Sequence, residues 1–244
     1  MNKMHMLTLL AAVWAVAGFA AEPAAEPEYE KIPAADRQPV LMLGDSMMRL
    51  MGKATEKALK AEGYEAKTFS SIGSGLARLD VFDWFARIET TMKESKPAVV
   101  VVTLGANDRQ ALQDGAGGVL QFGTPEWRTE YGKRIGRAMD VILENGAKRV
   151  IWLELPDMKE HLHQNYAELV NAIYAEQAAL EPRKGKVVLF SMRRHLSKTP
   201  GTYASYLMSP QGQALQVRDP DGVHLSQEGA KIMAQALVRT FWKD

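Results

Sequence analysis

Residues 98–104, AVVVVTL, form an unbroken apolar and largely β-branched run with no charged or turn-forming residue inside it. A strand with one wet face alternates apolar and polar residues. A continuous run of this length belongs to a strand buried on both faces, as in a parallel sheet covered by helices. Val40–Leu43, Ala66–Phe69, Arg149–Leu153 and Val187–Phe190 read as further short strands. Helical spacing fills the intervals: Met47–Glu62, Val81–Glu94, Pro125–Asn145, Gln164–Leu180 and Gln227–Trp242. Gly63 ends the first of these helices and Pro97 follows the second. Thr124 is placed to cap the third, with Pro125 in its first turn, and Ser226 to cap the last. Alternation of this kind predicts an α/β fold with a parallel five-stranded sheet covered on both faces. Sheets of that class carry their sites at the carboxyl ends of the strands.

The 244 residues fit a single domain. The first twenty stand apart. Lys3 gives a positive start, Leu7–Ala20 is apolar except for Thr8, and Gly18-Phe19-Ala20 supplies small residues before Glu22 and Pro23. That run is too short for a membrane span of roughly 20 residues and has the form of a signal peptide, cleaved after about Ala20, with an uncleaved anchor as the alternative. The expectation is a periplasmic or secreted protein with no stable membrane insertion after cleavage. Residues 21–38, rich in Ala, Pro and Glu, read as a flexible leader, and residues 39–244 as the folded domain. With no cysteine there is no disulfide and no lipid-attachment site. Removing Lys3 takes the formal charge from +1 to 0 (30 basic less Lys3, against 29 acidic), and nothing in the sequence suggests the basic patch or stripe that nucleic acid would call for.

Three groups of polar residues fall at predicted strand ends. Ser46 follows the first strand and opens the first helix, where its hydroxyl can stand above the sheet edge. Taken alone, it fits a helix cap equally well. Asn107, in Gly105-Ala106-Asn107-Asp108, follows the strongest strand. Its amide can donate to an oxygen that gains charge, or simply satisfy a turn. Asp221-Gly222-Val223-His224 lies just before the last helix. At that spacing the carboxylate can take one imidazole nitrogen and leave the other for a serine, though Asp-Gly is also a common turn pair. Asp219 competes as the carboxylate, but its offset suits His224 less well and Pro220 intervenes.

Together these blocks resemble the SGNH/GDSL hydrolases: Gly44-Asp45-Ser46, a glycine after the second strand, Gly105-Ala106-Asn107-Asp108 and Asp221-Gly222-Val223-His224. Met47 stands where many members carry leucine. The resemblance covers nearly all of the chain after the leader and implies a three-layer α/β/α, flavodoxin-like fold without metal or cofactor. It implies Ser46 as nucleophile, His224 as general base and Asp221 as its orienting carboxylate. The implied oxyanion donors are the Ser46 amide, the Asn107 side chain and a glycine amide. Gly75 is taken for that glycine ahead of Gly73, which spacing leaves open. The implied activity is ester hydrolysis on small acyl groups, O-acetyl above all, of exported polysaccharide or peptidoglycan. Acyl transfer to glycan hydroxyls and a non-catalytic glycan-binding scaffold are the alternatives.

Other constellations carry less. His161 and His163 lack the further ligands of a metal site and read as a solvated loop. The GAGG at residues 115–118 lacks the strand before and helix after that a phosphate loop needs, and reads as a flexible loop. Arg78, Asp80, Asp83 and Trp84 suit either the wall of a substrate pocket or an ordinary solvent-facing surface; Asp108, Arg109 and Gln110 are candidates for supporting Asn107. Residues 195–218, with Gly201, Tyr203 and Tyr206, form a long irregular stretch that suits a lid and plain surface equally.

Overall fold

The structure, a computed structural model, describes residues 28–243. Strand β1 (Val40–Gly44), buried along its length, leads through Asp45 into α1 (Ser46–Ala61). Then come β2 (Ala66–Ser70), α2 (Trp84–Ser95) and β3 (Val99–Thr103). A small hairpin, β4 (Leu112–Gln113) with β5 (Val119–Leu120), precedes α3 (Pro125–Glu144). The chain continues through β6 (Arg149–Leu153), α4 (His161–Ala179), β7 (Val187–Phe190) and the single turn α5 (Arg193–Leu196). A second hairpin, β8 (Tyr206–Met208) with β9 (Ala214–Gln216), leads to α6 (Gln227–Phe241).

The main sheet has the order β2-β1-β3-β6-β7 and every pairing in it is parallel. Its first three strands thus run 2-1-3, so the connections change direction between β1 and β3, the place where such sheets open a crevice. Register brings the strand ends level: Gly44 lies opposite Ser70 on one side and Thr103 on the other.

Period-two side-chain direction divides the core. Val100 and Val102 of β3 face α2, α3 and α4, packing with Trp84, Ile135 and Val170, among others. Val99 and Val101 face α1 and α6, with Met48, Met51, Met233 and Leu237. That is the three-layer α/β/α arrangement expected, and it explains why β3 needs valine at every one of those positions.

Capping explains where helices begin. Asp83 accepts from Ala86 N at 3.1 Å, so α2 starts three residues later than Val81. Thr124 caps α3 by accepting from Trp127 N, and Ser226 caps α6 by accepting from Gly229 N. Helix α4 starts at His161 rather than Gln164, so His161 and His163 belong to its exposed first turn and not to a loop.

Three further expectations change. Residues 115–118 are the turn of the β4–β5 hairpin, held by the Asp114 carboxylate, which accepts from Ala116 N and Gly118 N at 2.9 and 2.7 Å. The irregular stretch 195–218 contains the β8–β9 hairpin. Residues 28–38, the later part of the expected flexible leader, are anchored to the fold at two side chains: Ile32 is buried and its N–H donates to Phe241 O, while half-buried Tyr29 lies 5.3 Å from both Phe190 and Phe241. Apolar Tyr29 and Ile32 outweigh the Pro- and Glu-rich composition around them. The expected signal peptide, residues 1–20, lies outside the described residues.

Candidate active site

Ser46 is the first residue of α1, at the carboxyl end of β1. Its amide is among the first-turn N–H groups that a helix leaves without an internal acceptor. The loop before α6 comes to the same place because α6 packs along α1 in the shared core. There Ser46 Oγ and His224 Nε2 are 2.7 Å apart, and His224 Nδ1 is 2.6 Å from Asp221 Oδ2. The second carboxylate oxygen of Asp221 accepts from Val223 N at 2.8 Å and His224 N at 3.0 Å. Partial burial raises the Asp221 pKa, but the His224 bond and the two backbone N–H bonds outweigh it and leave the carboxyl at about 2. Asp221 is therefore an anion at neutral pH, able to hold one imidazole nitrogen while the other faces the hydroxyl. Gly222 at φ +74 makes the turn, and a Cβ there would lie 2.4 Å from Lys159 Cβ.

Asn107 stands at the end of β3 with Nδ2 donating to Ser74 O at 2.9 Å, which leaves its second amide hydrogen free of that bond. Asp45, wholly buried, links the two strand ends: it caps α1 by accepting from Met47 N at 2.9 Å and accepts from Gly105 N and Ala106 N at 3.2 Å. Desolvation is the largest influence on Asp45 and raises it. The Met47 N–H lowers it, Asp108 raises it, the Ala106 and Gly105 N–H groups lower it, and the result is about 7.

Asp108 does the same one layer out. It accepts from Leu76 N and Ala77 N, each at 2.9 Å, and from the Tyr131 hydroxyl at 2.8 Å. Arg134 grips those two residues from the other side, donating to Leu76 O at 2.8 Å and Ala77 O at 3.0 Å. The loop holding Gly73 and Gly75 is thereby fastened to the loop holding Asn107. Burial raises the Asp108 carboxyl.

The family described as "Protein of unknown function (DUF459)" matches residues 39–240. The chain belongs to that family. Among solved structures it is similar to a protein described as GDSL-like lipase from Parabacteroides merdae, at 10% identity and a TM-score of 0.52, covering 82% of this chain and 94% of that one. A lipase from goat rumen metagenome aligns at 16% identity and a TM-score of 0.47, covering 82% and 96%. A salicylyl-acyltransferase from a tetracycline biosynthetic pathway aligns at 12% identity and 0.47, covering 83% of this chain and 54% of that one. At such identities the likeness is one of fold, and the Parabacteroides protein carries it. No curated protein matches the chain.

The structure thus brings Ser46, His224 and Asp221 into one line and sets Asn107 and the glycine loop at the neighbouring strand ends. Gly75 itself is enclosed. The Ser74–Gly75 peptide gives its carbonyl to Asn107, and in a trans peptide the N–H points the opposite way. Gly73 is exposed, at φ +72, with open space around it. Gln110 donates to Asn107 O at 2.8 Å and Asp108 fastens the adjoining loop, so both support Asn107, while Arg109 lies 5.7 Å from the Phe122 ring. Arg78 and Asp80 pair with each other on the surface at 2.8 and 2.7 Å, Asp83 is a helix cap, and Trp84 is buried with Nε1 on Ser74 Oγ at 3.1 Å. None of these four touches the Ser46–His224–Asp221 line.

Sequence reasoning missed Tyr166 and Tyr174, whose hydroxyls donate to Gly105 O and Leu104 O. Both lie on α4, far along the chain, and a buried tyrosine in a helix resembles any other core aromatic. Arg218 was missed as well. A lone arginine six residues before a histidine gives no signal of burial.

Proposed function

We propose that the chain is a serine ester hydrolase acting through Ser46, His224 and Asp221. The observation that carries the reading is the 2.7 Å approach of Ser46 Oγ to a His224 ring whose other nitrogen is held by an ionised carboxylate. In this mechanism Ser46 Oγ attacks the acyl carbon of an ester while its proton passes to His224 Nε2. The carbonyl oxygen becomes an oxyanion, accepting from the Ser46 amide, the Asn107 side chain and a glycine amide of the 73–75 loop. The enclosure of Gly75 favours Gly73 for that third donor. His224 then gives its proton to the departing alcohol, leaving an acyl-serine. Water attacks this ester while His224 takes its proton; His224 then returns that proton to Ser46 Oγ as the acyl–oxygen bond breaks, and the acid leaves.

The substrate class follows from the expected export: small acyl esters, O-acetyl groups foremost, of polysaccharide or peptidoglycan outside the cytoplasm. A sugar hydroxyl in place of water would make the same acyl-enzyme a transferase. Initial rates with 4-nitrophenyl acetate, beside Ser46→Ala, test the chemistry: the variant is expected to lose on the order of 10⁴-fold or more. Equal rates in both proteins would reject Ser46 as nucleophile. Labelled acetyl recovered on a glycan acceptor, and not as free acetate, would replace hydrolysis by transfer.

A further inference from the structure

Arg218 is 1% exposed, one of the largest fully buried side chains in the molecule, and among the described residues no carboxylate lies within ion-pair distance of it. A buried cation must spend its donors elsewhere. Arg218 spends them mainly on backbone carbonyls: Nη1 donates to Asp157 O at 2.5 Å, Nη2 to Val223 O at 2.7 Å and Gly222 O at 3.4 Å, and Nε to His224 O at 3.3 Å, while Nη2 also lies 3.7 Å from Met158 Sδ. Its guanidinium carbon lies 5.1 Å from the centre of the Tyr203 ring. The segment it fills is closed by backbone bonds, with Asp219 N on His224 O at 2.9 Å and Ser226 N on Val217 O at 3.2 Å.

Peptide geometry ties this cation to the site. In a trans peptide the C=O and N–H point in opposite directions. The peptide between Gly222 and Val223 turns its carbonyl towards Arg218 and its N–H to Asp221. The next one, between Val223 and His224, does the same. Arg218 and Asp221 therefore grip the same two peptide units from opposite sides. Turning either carbonyl away from Arg218 would swing its N–H off the Asp221 oxygen. The same carboxylate, through its other oxygen, holds His224 Nδ1.

We propose that Arg218 is a positioning residue for the Asp221–His224 pair, its guanidinium orienting the two peptide units that hold Asp221 and, through Asp221, the His224 ring. The proposal rests on the reading of Ser46 and His224 as an acyl-transfer pair. Arginine suits the task because its planar fork presents donors in several directions at once. A lysine ammonium, a point charge on a flexible stem, cannot span carbonyls on both sides of the loop.

The test uses Arg218→Lys and Arg218→Gln in the full chain, at a temperature where circular dichroism shows each folded. With 4-nitrophenyl acetate, kcat is expected to fall about 10²-fold, as for a misplacement of order 1 Å, with KM unchanged. The low-field proton resonance of the His224 Nδ1–H···Asp221 bond should weaken or disappear in the variants. This second readout does not depend on turnover, so an inactive wild type would refute the esterase reading and still leave Arg218 to be judged by the resonance. Folded variants with wild-type kcat and an intact resonance would overturn the proposal. Should neither variant fold, the guanidinium hydrogens of the wild type decide: slow exchange with solvent supports the carbonyl network, and fast exchange overturns it.

Discussion

Gly75→Ala puts the densest part of the site under strain. The backbone at Gly75 is not in the left-handed region, so alanine meets no conformational objection there and would by itself gain about 0.4–1 kcal/mol from the unfolded state. The objection is steric. The added Cβ would lie 2.0 Å from Asp108 Oδ1, 2.6 Å from its Cγ and 2.8 Å from Oδ2. Asp108 cannot retreat freely, because it is fully buried and held by Leu76 N, Ala77 N and Tyr131. Opening ordinary contact means breaking at least one bond to a charged acceptor, about 1.5–3 kcal/mol. Overpacking adds about 1–3 kcal/mol. After the gain from alanine, the net destabilisation is about 3–4 kcal/mol, a fall in Tm of roughly 6–16 °C for a domain of this size. Thermal unfolding by circular dichroism measures it. A double-mutant cycle isolates the cause: in an Asp108→Ala background the collision is absent, and Gly75→Ala should cost almost nothing. If Gly75→Ala melted within a degree or two of wild type, or cost as much without Asp108 as with it, the argument would be refuted.

Asn107→Ala should lower kcat for 4-nitrophenyl acetate by about 10²–10³-fold with little change in KM, the expected loss for one oxyanion donor; a fall in KM-dependent terms alone would point to substrate binding instead. Asp45 makes a pH prediction. Its folded-state pKa of about 7 lies above the ordinary aspartate value of 3.8, so the folded protein binds the extra proton and stability falls as pH rises between those values. Asn at this position cannot titrate, so the stability deficit of Asp45→Asn relative to wild type should shrink by roughly 2 kcal/mol between pH 5 and pH 7, at about 1.4 kcal/mol per unit. Urea unfolding at the two pH values checks this, and a deficit that grows with pH would reverse the sign argument.

The sheet was legible because its signals are local. A valine run buried on both faces and four shorter strands define β3 and its neighbours with little help from distant residues. The line of Ser46, Asp221 and His224 was legible for a related reason: each lies at the end of an element whose pattern can be read, so topology brings the three together. What surrounds them was not. Arg218 and Asp45 act by giving or taking hydrogen bonds to backbone, and backbone direction leaves no mark on residue choice; Asp108 was legible as a support for Asn107, but its hold on Leu76, Ala77 and Tyr131 was not. Trp84, whose place after the second strand suited either a pocket wall or solvent, is turned inward instead, where burial and one bond to Ser74 account for it. Residues 28–38 were misread because composition averages over Ile32 and Tyr29, the two side chains that decide their packing.

Reaction with a serine-directed fluorophosphonate, followed by peptide mass mapping, probes Ser46 as nucleophile without assuming a substrate, since it requires an activated hydroxyl and no particular ester. A single adduct on Ser46 is expected, absent or slowed by orders of magnitude in His224→Ala. In a crystal structure of the adduct, its oxygen should lie within about 3 Å of Asn107 Nδ2 and a glycine amide. An unmodified Ser46, or labelling at the same rate without His224, would contradict Ser46 as nucleophile.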